Sequence, residues 1–144
     1  MGEARALARR DRANGTEWTL AGFLDTRENV LAGISMDAGV IGDPNTYVPR
    51  ADDMFIVAIG DPKFKRKLVA PLRLKGATFV SLRTSVRMAD RVRYGAAVFG
   101  DCARISVDTT IGDYVFIGDD CVIGHDVEIA DYAHIGTRCF IAGN

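Results

Sequence analysis

From Ile105 onward, large apolar residues return every six positions: Ile105, Ile111, Ile117, Ile123, Ile129, Ile135 and Ile141. Two positions before each stands a small or modest residue: Ala103, Thr109, Val115, Cys121, Val127, Ala133 and Cys139. Directly after each comes Ser106, Gly112, Gly118, Gly124, Ala130, Gly136 or Ala142. A helix repeats every 3.6 residues and a simple strand every two, so neither gives this period. A solenoid of hexapeptides does. It is built of short strands, each with one large inward residue, joined by tight corners that favour small ones. The pattern predicts a solenoid from about Leu82 to the C-terminus, with the isoleucine series pointing inward.

The pattern upstream is different. GEARALARRDRANG reads as an amphipathic helix stopped at Asn14-Gly15. Trp18 to Asp25 reads as a buried strand ending in an acid, and residues 26–53 as irregular, with a short strand near Gly39–Ile41. Met54 to Gly60 is an almost unbroken apolar run, the composition of a buried parallel strand. Gly60-Asp61-Pro62 turns it into a helix over Lys63–Lys75, weakest at Pro71, and Ala77 to Leu82 returns as a strand. Strand, helix and strand form one βαβ unit of a doubly wound sheet. Ligands of such sheets sit beyond the carboxyl ends of the strands, which places Asp25, Thr26, Gly60 and Asp61 at one rim. The basic run Lys63-Phe64-Lys65-Arg66-Lys67 is expected to be a solvated helix face. A doubly wound domain normally opens on a strand and a glycine-rich loop, whereas this chain opens on the helix, and Asn144 falls in mid-repeat. Both ends are expected to be cut.

Composition narrows the picture further. The chain has 144 residues, 48% hydrophobic and 26% charged, and a net charge of −1. These values fit a globular protein with no global field for nucleic acid or an anionic membrane. No apolar run reaches the length of a membrane-spanning helix and no signal peptide is evident, so the expected location is cytoplasmic. Cys102, Cys121 and Cys139 are an odd number without a CxxC pair. Cys121 and Cys139, eighteen apart, are expected to stack inside the solenoid as small apolar fillers.

Three stretches carry a family resemblance: GFLD at 22–25, AIGD at 58–61 and DCVIGHDVEIADYAHIGTRCFIAGN at 120–144. Through them the chain resembles the sialic acid O-acetyltransferase and nucleotide-amino-sugar N-acetyltransferase group of hexapeptide acyltransferases. His125-Asp126, Tyr132, His134 and Ala142-Gly143-Asn144 stand at the family's spacing, with Ala130 where the family often has glycine. The resemblance implies an incomplete Rossmann-like α/β subdomain over 1–81 that binds the acceptor. A left-handed parallel β-helix over 82–144 follows it. It implies a homotrimer that uses acetyl-CoA, without a metal, to acetylate a nucleotide-linked amino sugar or a sialic acid. In that scheme His125 is the general base and Asp126 its partner, oriented through a solenoid corner because adjacent strand residues point apart. Gly143 supplies an oxyanion N–H, and His134 and Ala142 lie with the cofactor. Asp25 contacts the acceptor nucleotide, with Thr26, Gly60 and Asp61 beside it.

Three other readings compete: O-transfer in place of N-transfer, a non-catalytic trimerising module, and a solenoid carbonic anhydrase. The last needs zinc from three histidines, and the chain has two, nine residues apart.

Overall fold

The computed structural model describes residues 19–36 and 38–144. The helix expected over residues 2–15 lies outside them. In the N-terminal part β1 (Phe23–Leu24) pairs in parallel with β2 (Val40–Gly42), and β3 (Met54–Phe55) with β4 (Thr78–Phe79). Helix α1 (Pro62–Leu74) connects β3 to β4 as the expected crossover. Its start is set locally: Asp61 accepts a hydrogen bond from the Phe64 amide (2.7 Å), and Pro62 fills the first turn.

The ladders are shorter than the apolar runs suggest, and the two pairs form separate two-stranded sheets rather than one doubly wound sheet. Tertiary packing explains the shortening. Beyond Phe55 the chain leaves the ladder and lays Ile56 against Leu82, Val98 and Phe116, and Val57 against Val69, Tyr114 and Tyr132. Those side chains are apolar because they cover the neighbouring solenoid, not because they continue a strand.

From Leu82 the chain coils. Eleven two-residue strands run from β5 (Leu82–Arg83) to β15 (Phe140–Ile141), stacked in three parallel sheets. The orders are β5-β8-β11-β14, β6-β9-β12-β15 and β7-β10-β13. Three consecutive strands make one turn of a triangular prism, a left-handed β-helix. Phe116 pairs with His134 and Val122 with Phe140, so a full coil takes eighteen residues. The first coil is irregular: Leu82 lies opposite Val98, and Arg87 opposite Arg104.

All seven isoleucines of the series line one core. Ile105, Ile111, Ile117, Ile123 and Ile129 are buried, and Ile135 and Ile141 pack against them in the uppermost turns. Phe99 and Ala97 fill the base. Arg83 and Tyr94 close it from below, the guanidinium donating to the phenol oxygen at 2.9 Å. Cys121 sits in the core as expected and donates its thiol to the Gly136 carbonyl (2.9 Å), and burial pushes that thiol up in pKa. Cys139 stacks over it but is exposed, because its turn is the uppermost in the structure.

The sharp bends do not fall on the small residues that follow each isoleucine. They fall three residues before it, where Cys102, Asp108, Tyr114, Asp120, Asp126, Tyr132, Arg138 and Asn144 all have φ between 55° and 67°. Left-handed backbone costs an L-residue roughly 1–2 kcal/mol, least for Asp and Asn, which hold four of these eight corners. The small residues answer a different need. At Gly118, for example, a Cβ would lie 2.6 Å from the Thr137 amide of the next coil.

Candidate active site

The prism has three edges, each a column of corners one coil apart. On two of them an aspartate just before the left-handed residue ties successive coils together. Asp113 accepts from the Ala96 amide (2.9 Å) and Asp131 from the Asp113 amide (2.8 Å) on one edge. Asp119 accepts from the Asp101 amide (2.6 Å) on another. His125 occupies the same place in its hexad as Asp113, Asp119 and Asp131. Its column reads Asp90, Val107, His125, Gly143, so above the first coil no carboxylate occupies this place on this edge. The hexads aligned in register carry the signal, a histidine in a position that holds Asp113, Asp119 and Asp131 in neighbouring repeats.

What replaces the ladder is a dyad. His125 Nδ1 lies 2.7 Å from Asp126 Oδ2. The left-handed turn at Asp126 (φ 56°) brings two adjacent side chains to the same side, as the sequence reading required of a corner. In the neutral imidazole a carboxylate at Nδ1 favours the proton on that nitrogen, which leaves Nε2 as the acceptor. One coil above, Gly143 faces the ring. A Cβ there would stand 2.7 Å from Nε2, 2.8 Å from Cδ2 and 2.9 Å from Cε1. Glycine is thus required for the imidazole to lie where it does. The Asn144 amide donates to the His125 carbonyl (3.2 Å) and fixes the coil above in register. Ala142 precedes Gly143 on the same turn.

His134 lies elsewhere. It is on β14 (His134–Ile135), outward on the face whose lower coils present Leu82, Val98 and Phe116. Its ring stacks on Phe116, with centroids 4.9 Å apart and planes within 10°. It also borders Gly60, whose Cβ would come 3.5 Å from His134 Cε1. In a triangular section this face is opposite the edge that carries His125. One chain therefore does not bring its two histidines together.

The remaining rim residues divide. Both carboxylate oxygens of Asp25 accept from Arg27, at 2.9 Å from Nε and 3.1 Å from Nη2, and these bonds hold its carboxyl below the usual range. Thr26 beside it is exposed. Asp61 spends one oxygen on the helix cap, and Gly60 lies beside His134. Among the described residues no group of three or more His, Cys, Asp or Glu could hold a metal ion.

The basic run needs correction. Lys63, Arg66 and Lys67 are exposed, but Lys65 is fully buried. Its ammonium donates to the Tyr114 carbonyl (2.7 Å) and, at longer range, the Ala133 carbonyl (3.4 Å). Burial lowers its pKa to about 8. Around it Arg66 lies 4.5 Å from the centre of the Tyr132 ring, and Tyr132 stacks on Tyr114. The helix thus grips two coils of one edge. Lys65 lies three residues before Leu68 and four before Val69, on the helix's apolar side, and its charge masked that position.

Residues 108–143 match the family model described as bacterial transferase hexapeptide (six repeats). No curated protein matches the chain by sequence. Among solved structures, WeeI from Acinetobacter baumannii superposes with a TM-score of 0.80 at 16% identity, over 97% of this chain and 68% of that one. The acetyltransferase domain of PglB from Neisseria gonorrhoeae, in complex with acetyl coenzyme A, gives 0.60 at 18%, over 98% and 88%. PerB from Caulobacter crescentus, in complex with CoA and GDP-perosamine, gives 0.53 at 21%, over 99% and 73%. No helix among the described residues is long and apolar enough to cross a membrane. Residues 108–143 carry the bacterial transferase hexapeptide repeat within a left-handed β-helix, the fold this chain shares with these three structures.

Proposed function

We propose that this chain is an acetyl-CoA-dependent acetyltransferase that N-acetylates a nucleotide-linked amino sugar in the cytoplasm, with His125 as general base. The observation that carries the reading is the His125–Asp126 dyad, which stands where the same coil positions on the other edges hold Asp113, Asp119 and Asp131, and which is faced by Gly143. Bound acetyl-CoA supplies the acetyl group as a thioester. His125 Nε2 accepts the proton of the attacking amine as the new bond forms, and Asp126 stabilises the resulting imidazolium. Gly143, whose missing side chain leaves space at Nε2, offers its backbone N–H to the developing oxyanion, with Ala142 beside it. The likeness in fold to a perosamine N-acetyltransferase from Caulobacter crescentus supports nitrogen over oxygen as the acceptor atom.

The acceptor is held by the N-terminal subdomain, with Asp25, Thr26, Gly60 and Asp61 as its contacts, and His134 assists the donor. Since His134 and Gly60 lie on the face opposite the dyad, a complete site needs the dyad of a neighbouring copy. A homotrimer of solenoids packed side by side provides it. Sedimentation at micromolar concentration should show a trimer, and a stable monomer would remove the shared site.

The decisive assay is thiol release from acetyl-CoA with UDP-, dTDP- and GDP-amino sugars and with sialic acid as acceptors. His125→Ala should lower turnover by on the order of 10²–10⁴ while acetyl-CoA binding is retained. His134→Ala should weaken the donor complex instead. Wild-type turnover in His125→Ala would show that the base is another group.

A further inference from the structure

The dyad does not stand alone on its edge. The left-handed corner residues of that column are Arg91, Asp108, Asp126 and Asn144. Arg91 grips Asp108 with both arms, Nε to Oδ1 at 2.6 Å and Nη2 to Oδ2 at 2.7 Å. Asp108 lies one coil below Asp126, about one strand spacing (~4.8 Å) away along the prism. The backbones are joined there by the Asp126 amide donating to the Val107 carbonyl (3.2 Å). We propose that Arg91 and Asp108 are positioning residues that set the protonation of the His125–Asp126 dyad, Arg91 by neutralising a carboxylate that would otherwise add a second negative charge beneath the imidazole. The inference rests on the reading of His125 as the base.

The pair contributes little to folding. The Arg91 side chain is 64% exposed and that of Asp108 36%, so solvent screens the pair. Its consequence is electrostatic and local. Asp108 is held below the usual carboxylate range first by its hydrogen bonds to Arg91, against an opposing effect of burial. The charges of Arg91, Arg93 and His125 add smaller contributions. Asp108 and His125 therefore feel one another, and Arg91 in turn feels Asp126. Among the described residues the charged groups of this edge are Asp126 on the imidazole's own coil and Asp108, Arg93, Arg91 and Asp90 below it, while Gly143 faces the ring from above.

The two single variants should act in opposite directions. Arg91→Gln leaves Asp108 and Asp126 both negative, favours the imidazolium and moves the acid limb of kcat/KM up in pH. Asp108→Asn leaves Arg91 unopposed and moves that limb down. One unit charge this close in water-like surroundings shifts a neighbouring midpoint by a fraction of a pH unit. The double variant should return close to wild type, because a neutral pair has been removed. Arg91→Lys keeps the charge and should shift the limb less than Arg91→Gln.

The test is to follow the His125 ring by NMR against pH at low ionic strength, where two histidines make assignment direct, together with the pH–rate profile. Opposite shifts of the ring midpoint in the single variants, cancelling in the double, are expected. Equal midpoints in wild type and both single variants would overturn the proposal. If the midpoints move as expected while the acid limb of turnover stays fixed, the tuning stands and the assignment of His125 as base falls.

Discussion

Gly143→Ala isolates the geometry of the dyad from the stability of the solenoid. Gly143 is not among the residues with positive φ, so alanine strains no backbone there. The effect comes from the new methyl, 2.7–2.9 Å from three atoms of the His125 ring, where carbon contacts are comfortable at about 3.5–4 Å. Something must yield by roughly 0.7–1 Å. Gly143 belongs to a coil fixed by the Asn144–His125 and Gly124–Ile141 backbone bonds, whereas the His125 side chain is 54% exposed. The ring will move, stretching or breaking its 2.7 Å contact with Asp126. Loss of stability should stay below about 1 kcal/mol, since the displaced group swings into solvent. Turnover, by contrast, should fall on the order of 10²-fold, because a base displaced by about an ångström no longer meets its proton in line. Thermal unfolding and acetyl transfer, measured on one preparation, separate the two. Unchanged turnover with a displaced ring, or a melting loss as large as that of a core mutation, would refute the reasoning.

Ile123→Asp should unfold the solenoid outright. Ile123 is completely buried in the isoleucine core, with no partner for a carboxylate, so circular dichroism should show the parallel sheets lost. Lys65→Met should flatten the pH dependence of stability. The lysine's pKa of about 8 in the fold lies below its ordinary 10.5, so the unfolded chain binds more protons between these values and stability rises with pH across that window. Urea midpoints at pH 8 and pH 10 should therefore differ by less in the methionine variant than in wild type. An equal difference in both would show that the ammonium is not desolvated by the fold.

The solenoid was legible because its signal is redundant. Seven isoleucines in one register cannot serve a helix or a hairpin, and the structure seats all of them in one core. The first coil was not legible, and for a physical reason. Its turns take sixteen or seventeen residues, and Arg83, Met88 and Tyr94 stand opposite Phe99, Ile105 and Ile111, so neither spacing nor residue type repeats. The His125–Asp126 contact followed from knowing that a corner must lie there. The separation of His125 from His134 was also implicit in their spacing, since nine residues are half of an eighteen-residue coil. Lys65 could not be read at all. A lysine inside a basic run looks solvated, and only the approach of the Tyr114 and Ala133 carbonyls provides for its charge.

The repeat lets errors of length be sorted by arithmetic. Inserting eighteen residues between Ile129 and Phe140 adds a whole storey and returns every later side chain to its original compass bearing. Inserting six keeps each isoleucine on the axis and leaves the core as well packed as before, yet turns everything downstream by one third of a revolution. Gly143 would then arrive over a different edge, and His125 would face a stranger. Such a protein would melt like its parent and transfer nothing. In this architecture folding is blind to a shift of one hexad, and the dyad's requirement for the glycine one storey above is what selects the correct phase.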